Sequence, residues 1–166
     1  MRFKKVWILA GMLAALAAPA SAQGNARFGI GATGDFSLES GGGSAFGGIA
    51  LVEFRAHDQT VGFRADATVI HGQGVTGEIF TGDVVYAFRT PTSMFHPYLL
   101  AGGGLVHQPG FTKPAAKAGA GFEYHLRQKN RGLVFFGEST FNLVFRGNGN
   151  GTGKDLQVNL GLKFGG

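Results

Sequence analysis

The residues that could do chemistry in this 166-residue chain are 10 Asp+Glu, 15 Lys+Arg and five His, with no Cys. Three arrangements among them invite a reading. An acyl hydrolase needs a His with a nearby Ser and an acidic orienter. His125 follows Glu123 by two places, but the residue two places further on is Arg127, and Ser139 lies across a turn. Gly29-x-Gly31-x-x-Gly34 matches the dinucleotide fingerprint in spacing. That fingerprint cradles a pyrophosphate only where a helix opens at its end, and Asp35 to Gly43 reads as strand followed by Gly-rich turn. His57, His71, His96, His107 and His125 are scattered, and none has a second ligand at metal-site spacing. We expect no metal, no cofactor and no enzymatic activity.

Charge makes more sense by position than by neighbour. From Leu156 to Phe164 the chain reads L-Q-V-N-L-G-L-K-F, apolar at every even position and polar or small at every odd one. Side chains alternate across a strand, so this segment has one apolar and one polar face. The same period returns along the chain. Phe28, Ile30, Ala32, Phe36 and Leu38 oppose Arg27, Gly29, Gly31 and Thr33; Phe46, Ala50, Val52 and Phe54 oppose Glu53 and Arg55. Val61, Phe63, Ala65, Ala67 and Val69 oppose Arg64 and Asp66; Val84, Tyr86 and Phe88 oppose Asp83. Ala118, Ala120, Phe122 and Tyr124 oppose Lys117 and Glu123; Phe135, Phe141, Leu143 and Phe145 oppose Glu138, Thr140 and Asn142. Glu78 breaks the fourth strand and suggests a bulge or strand end. Pro91 and Pro97 are expected to bracket a turn, and Gln108 to Pro114 to form a loop. Tyr98 to Val106 is apolar on both faces and has no readable orientation.

The polar face therefore collects Arg27, Arg55, Arg64, Lys117 and Lys163 with Glu53, Asp66, Asp83, Glu123 and Glu138. About eight strands of near ten residues each are the right number and length for a small membrane barrel. In such a tube those ten groups are confined together and must pair. We expect Glu53, Arg64, Glu123 and Glu138 in a central layer.

Residues 1–22 read as a cleaved signal peptide: Arg2, Lys4 and Lys5, then an apolar run, then Ala20-Ser21-Ala22, with the cut between Ala22 and Gln23. Three cations leave with it, so residues 23–166 hold 12 Lys+Arg against 10 Asp+Glu. That near balance removes the main support for nucleic-acid binding.

Together these features resemble the small eight-stranded outer-membrane barrels, the bare-barrel relatives of the OmpA transmembrane domain and of OmpX. The resemblance implies an all-β, closed, antiparallel up-and-down transmembrane β-barrel over residues 23–166. It also implies contact with outer-membrane lipid, and Phe164 as the terminal aromatic read by the barrel-insertion machinery. A soluble lipocalin-like barrel also alternates, with its apolar face inward. The polar face here is instead rich in small residues, Gly29, Gly31, Gly47, Gly62, Gly119, Gly121 and Gly161, which suits the narrow inside of eight strands. The expected role is structural or surface-interacting, with a lumen plugged by charge. The competing readings are a porin-like small-solute channel, a ligand-binding soluble barrel and a lipid A-modifying enzyme.

Overall fold

The computed structural model describes residues 26–55, 59–88, 93–126, 132–146 and 151–165. The leader with its Ala22–Gln23 junction, and His57, Pro91 and Arg127, lie outside the described residues. Eight strands follow one another: β1 (Ala26–Ser37), β2 (Ser44–Phe54), β3 (Val61–Gly72), β4 (Val75–Ala87), β5 (Phe95–Gln108), β6 (Phe111–His125), β7 (Val134–Phe145) and β8 (Thr152–Phe164). Each pairs antiparallel with the next, and β1 closes on β8. Closure leaves no free edge, so every strand has a partner on both sides. Among the described residues no helix is long and apolar enough to cross a membrane.

The register fixes the tilt. The rungs that start at Arg27 pass through Glu53, Arg64, Asp83, Gly102, Lys117, Asn142 and Asp155, and return to β1 at Ser37. One circuit thus climbs ten residues. At about 3.3 Å per residue and about 4.8 Å per strand, the strands lean about 41° from the barrel axis. Six of the residues on this spiral row are charged.

Backbones approach closely where β1 meets β8. Gly31 and Gly161 face each other there. A Cβ on Gly31 would run into the Leu160 carbonyl oxygen, and one on Gly161 into that of Ile30.

The two mouths differ. Both ends of the sheet, Ala26 and Phe164, lie at the lower mouth. At the upper mouth β3 turns into β4 through Gln73-Gly74 alone, with φ of 49° and 75°. Two positive φ values in a two-residue loop make a type I′ turn, whose twist suits a hairpin. Pro109-Gly110 joins β5 to β6, with Gly110 at φ 96°; Pro then Gly at the centre is a type II turn.

Three local expectations are corrected, and one stretch left unoriented is placed. Glu78 makes no bulge: the rungs run unbroken through Val69–Glu78 and Glu78–His107, and its side chain simply faces outward near the upper rim. Pro97 is not in a turn but in β5. Its carbonyl accepts from the Phe88 N–H at 2.9 Å, so its nitrogen faces the same flank, beyond the point where β4 pairing ends at Ala87–Tyr98. The missing N–H costs the ladder only its terminal bond, the one the Phe88 carbonyl would accept. Pro114 likewise lies inside β6, one residue outside the ladder to β7, which begins at Ala115–Val144. The stretch 98–106 acquires an orientation: Tyr98, Leu100 and Val106 point in, while Leu99, Ala101 and Leu105 point out.

Candidate functional site

The one continuous feature that could act on solutes is the inside of the tube. The structure places all ten charged residues singled out above within it, each buried. They do not form one central layer. Tilted strands carry neighbouring rungs to different heights, and the charges separate into two tiers.

The lower tier lies beside the lower mouth. Glu53 and Glu123 meet three cations there. Lys163 Nζ donates to Glu53 Oε2 at 2.7 Å and to Glu123 Oε1 at 2.8 Å. Arg55 Nη2 donates to both oxygens of Glu123 at 2.8 Å. It also stands 2.8 Å from Glu53 Oε1, a charge contact without hydrogen-bond alignment. Arg27 Nη1 reaches Glu123 Oε2 at 3.3 Å. Lys163 is fully buried and lies over the Tyr98 and Phe136 rings, at 5.2 and 5.4 Å from their centroids. Cation–π contact of this kind is strongest when desolvated. Glycines make the room: a Cβ on Gly121 would strike the Tyr98 ring and one on Gly161 the Phe136 ring.

The upper tier is built on Arg64. Its guanidinium holds Glu138 in a bidentate pair, Nη1 to Oε2 at 2.7 Å and Nη2 to Oε1 at 3.1 Å. That geometry is the strong form of a charged hydrogen bond. Glu138 also accepts from the Tyr98 hydroxyl at 2.6 Å and from Asn159 Nδ2 at 2.8 Å. Arg64 Nη2 approaches Asp66 at 3.2 Å and Asp83 at 3.4 Å. Lys117 Nζ donates to Asp66 Oδ2 at 2.8 Å and to Thr81 at 2.7 Å, and is 2.8 Å from Asp83 Oδ2. Three cations face two acids below, and two cations face three acids above, so the tiers carry opposite net charge and cancel.

Sequence reasoning missed the apolar inner positions. Ile49, Leu51 and Phe136 form one buried cluster, and Val85, Ala87, Tyr98 and Leu100 another. They pack beside the charges, with Phe136 and Tyr98 against Lys163 and Tyr98 on Glu138. The signal was present in the alternation, since Ile49 and Leu51 share the parity of Glu53.

The remaining candidates are also placed. His125 points inward, 3.7 Å from Glu123 Oε2 and ring-to-ring with His96 at 4.9 Å between centroids. Ser139 is exposed on the outer face, so the two do not meet. Gly29, Gly31 and Gly34 lie in strand β1, with no helix at their end. Phe164 faces outward and stacks on Phe28 at 6.1 Å.

No family model matches the sequence, and no curated protein matches it. Solved structures do. The N-terminal β-barrel domain of Pseudomonas aeruginosa OprF aligns with a TM-score of 0.56 at 20% identity, over 83% of this chain and 97% of that one. The outer membrane enzyme PagL aligns at 0.53 and 15% identity, over 82% and 98%. Ail, the attachment invasion locus protein of Yersinia pestis, in complex with the heparin analogue sucrose octasulfate, aligns at 0.52 and 13% identity, over 85% and 99%. This chain has the fold of the small eight-stranded outer-membrane β-barrels.

Proposed function

We propose that the protein is an integral outer-membrane barrel with a structural or surface-interaction role, its lumen closed to free ion flow by the two charged tiers. The observation that carries this is the separation of charge from the outer wall. Between the rims no outward position on the eight strands is charged. The outward charges Glu78 and Lys154 lie at the upper rim, beside His71 and His107. Among the described residues twenty-five large apolar side chains stand exposed, Ile30, Phe63, Leu99 and Leu160 among them. Such a surface is unfavourable in water and suited to acyl chains. Aromatic pairs ring the lower part of the wall, with Phe28–Phe164 at 6.1 Å, Phe95–Phe122 at 5.4 Å and Tyr86–Phe88 at 5.1 Å. Girdles of this kind sit at the membrane–water boundary. Lipid is then the partner of the outer wall, and the leader and insertion machinery account for its arrival.

Two experiments test the reading. Fractionation with heat-modifiable gel migration should place the protein in the outer membrane; recovery as a soluble periplasmic protein without detergent would contradict that. In planar bilayers the wild-type barrel should give no steady open level. A sustained ion-conducting level would favour the small-solute channel instead.

A further inference from the structure

Above the charged tiers the interior changes character. A cavity of about 550 Å3 opens toward the upper mouth, within the range of roughly 300–1,000 Å3 usual for small-molecule sites. Small inward residues create it: Gly43, Gly72, Gly77 and Gly153 line it. The turns at Gln73-Gly74 and Pro109-Gly110 are too short to roof it.

Its wall has two chemistries. From β3 to β7 it carries an apolar patch, in which Ile70, Ile79 and Val106 cluster with Ala115 and Val144 packed against them, beside the polar Thr81, Gln108, Lys113 and Asn142. From β8 and β1 it presents Asp155 and Asp35. Every carboxylate deeper in the tube faces a cation, but Asp35 has no hydrogen-bond or ion-pair partner among the described residues. Its charged neighbour is Asp155, another acid, which bonds Ser37. The cations lining the cup do not answer it. Lys117 is held by Asp66, Asp83 and Thr81 at the floor, and Arg146 by Glu39 at the rim. Lys113 lines the cup from β6 and makes no ion pair with Asp35.

We propose that this cup binds a small organic cation with an apolar body. Its ammonium group takes the place at Asp35 and its body lies against Ile70, Ile79 and Val106. An anion would meet two half-buried carboxylates, and a neutral apolar molecule would desolvate them without compensation. A cationic amphiphile satisfies both halves of the wall.

The test uses the folded barrel in lipid nanodiscs and follows the methyl signals of Ile70, Ile79 and Val106 by NMR. The probes are 2-phenylethylammonium, the neutral 2-phenylethanol and the anionic 3-phenylpropanoate. Saturable shifts at these three residues with the cation, and weaker ones with the alcohol, are expected. Asp35→Asn should weaken the cation roughly fivefold, the size of a half-buried charge pair, and leave the alcohol unchanged. Gly77→Phe should fill the cup and remove binding of both, while heat-modifiable migration shows that the barrel still forms. The proposal is overturned if the anion binds best and Lys113→Ala abolishes it. It is also overturned if no probe gives saturable shifts, or if shifts appear only at outward methyls such as Ile30 and Leu160, which would mean partition into lipid.

Discussion

The lower two thirds of the tube and its upper third are built from the same eight strands, yet they are filled in opposite ways. Below, long charged side chains meet across the lumen, and Tyr98, Phe136 and Leu51 take up what space remains. Above, glycine and alanine alternate with short aliphatic residues, and a cavity is left. The difference teaches that closure of this barrel is a property of side-chain choice. The shear of ten sets one lumen width throughout, and eight strands leave an interior that side chains can just fill. On the proposed reading the tube is shut where the inward residues are long and paired, and it is a cup where they are small.

Mutations should therefore cost more below than above. The largest effect is expected from Glu138→Ala, which leaves the Arg64 guanidinium only its longer contacts to Asp66 and Asp83 and removes the acceptor of Tyr98 and Asn159. Loss of one partner of a buried pair costs about 3–5 kcal/mol, and urea unfolding in detergent should show it. An unaltered unfolding midpoint would remove Glu138 from any supporting network.

A truncation pair sharpens the contrast. Leu51→Ala empties a packed site in the lower region and should cost about 2–4 kcal/mol, as core truncations do. Ile79→Ala, at the cup wall, already borders open volume and should cost about half as much. Equal losses would show that the two regions are packed alike.

Additions should behave in the converse way. A Cβ on Gly121 runs into the Tyr98 ring, whereas one on Gly77 meets only ordinary contacts, 3.4 Å or more away. Gly121→Ala should destabilise by about 1–3 kcal/mol through overpacking, and Gly77→Ala should stay within about 0.5 kcal/mol. Thermal melts of the two variants decide this. The smallest effect belongs to the rim. Arg146 and Glu39 pair with side chains 47% and 32% exposed, so Glu39→Gln should cost less than about 1 kcal/mol, and the cost should shrink with added salt.

Much of this was legible in the sequence because a strand has period two. The parity of Arg64, Asp66, Glu123 and Lys163 places them opposite Phe63, Ala65, Tyr124 and Phe164, and the structure has them on the inner face. What parity cannot give is height. The split of Glu53 and Glu123 from Arg64 and Glu138 follows from strand tilt, and tilt follows from registers that pair residues far apart in sequence. The orientation of Tyr98 to Val106 was hidden for a different reason. Its inward Tyr98 and Leu100 pack on Val85 and Ala87, so both faces are apolar and no contrast remains to read. Pro97 and Pro114 misled because a proline costs a ladder little at or beyond its last rung. The cup left no mark in the sequence beyond a scatter of glycines, since a cavity is defined by what its surroundings fail to fill.

The most direct measurement uses the absence of Cys from the chain. Single cysteines can be placed by Ala115→Cys in the cup and by Thr140→Cys, a position 1% exposed below it. The two positions lie on adjacent strands, and both residues are small. With a water-soluble, membrane-impermeant thiol reagent added to the folded barrel in nanodiscs, Ala115→Cys should be labelled readily. Thr140→Cys should be labelled at least about a hundredfold more slowly, because reaction there requires opening of the packed region. Comparable labelling rates at the two positions would contradict an interior that is open above and shut below.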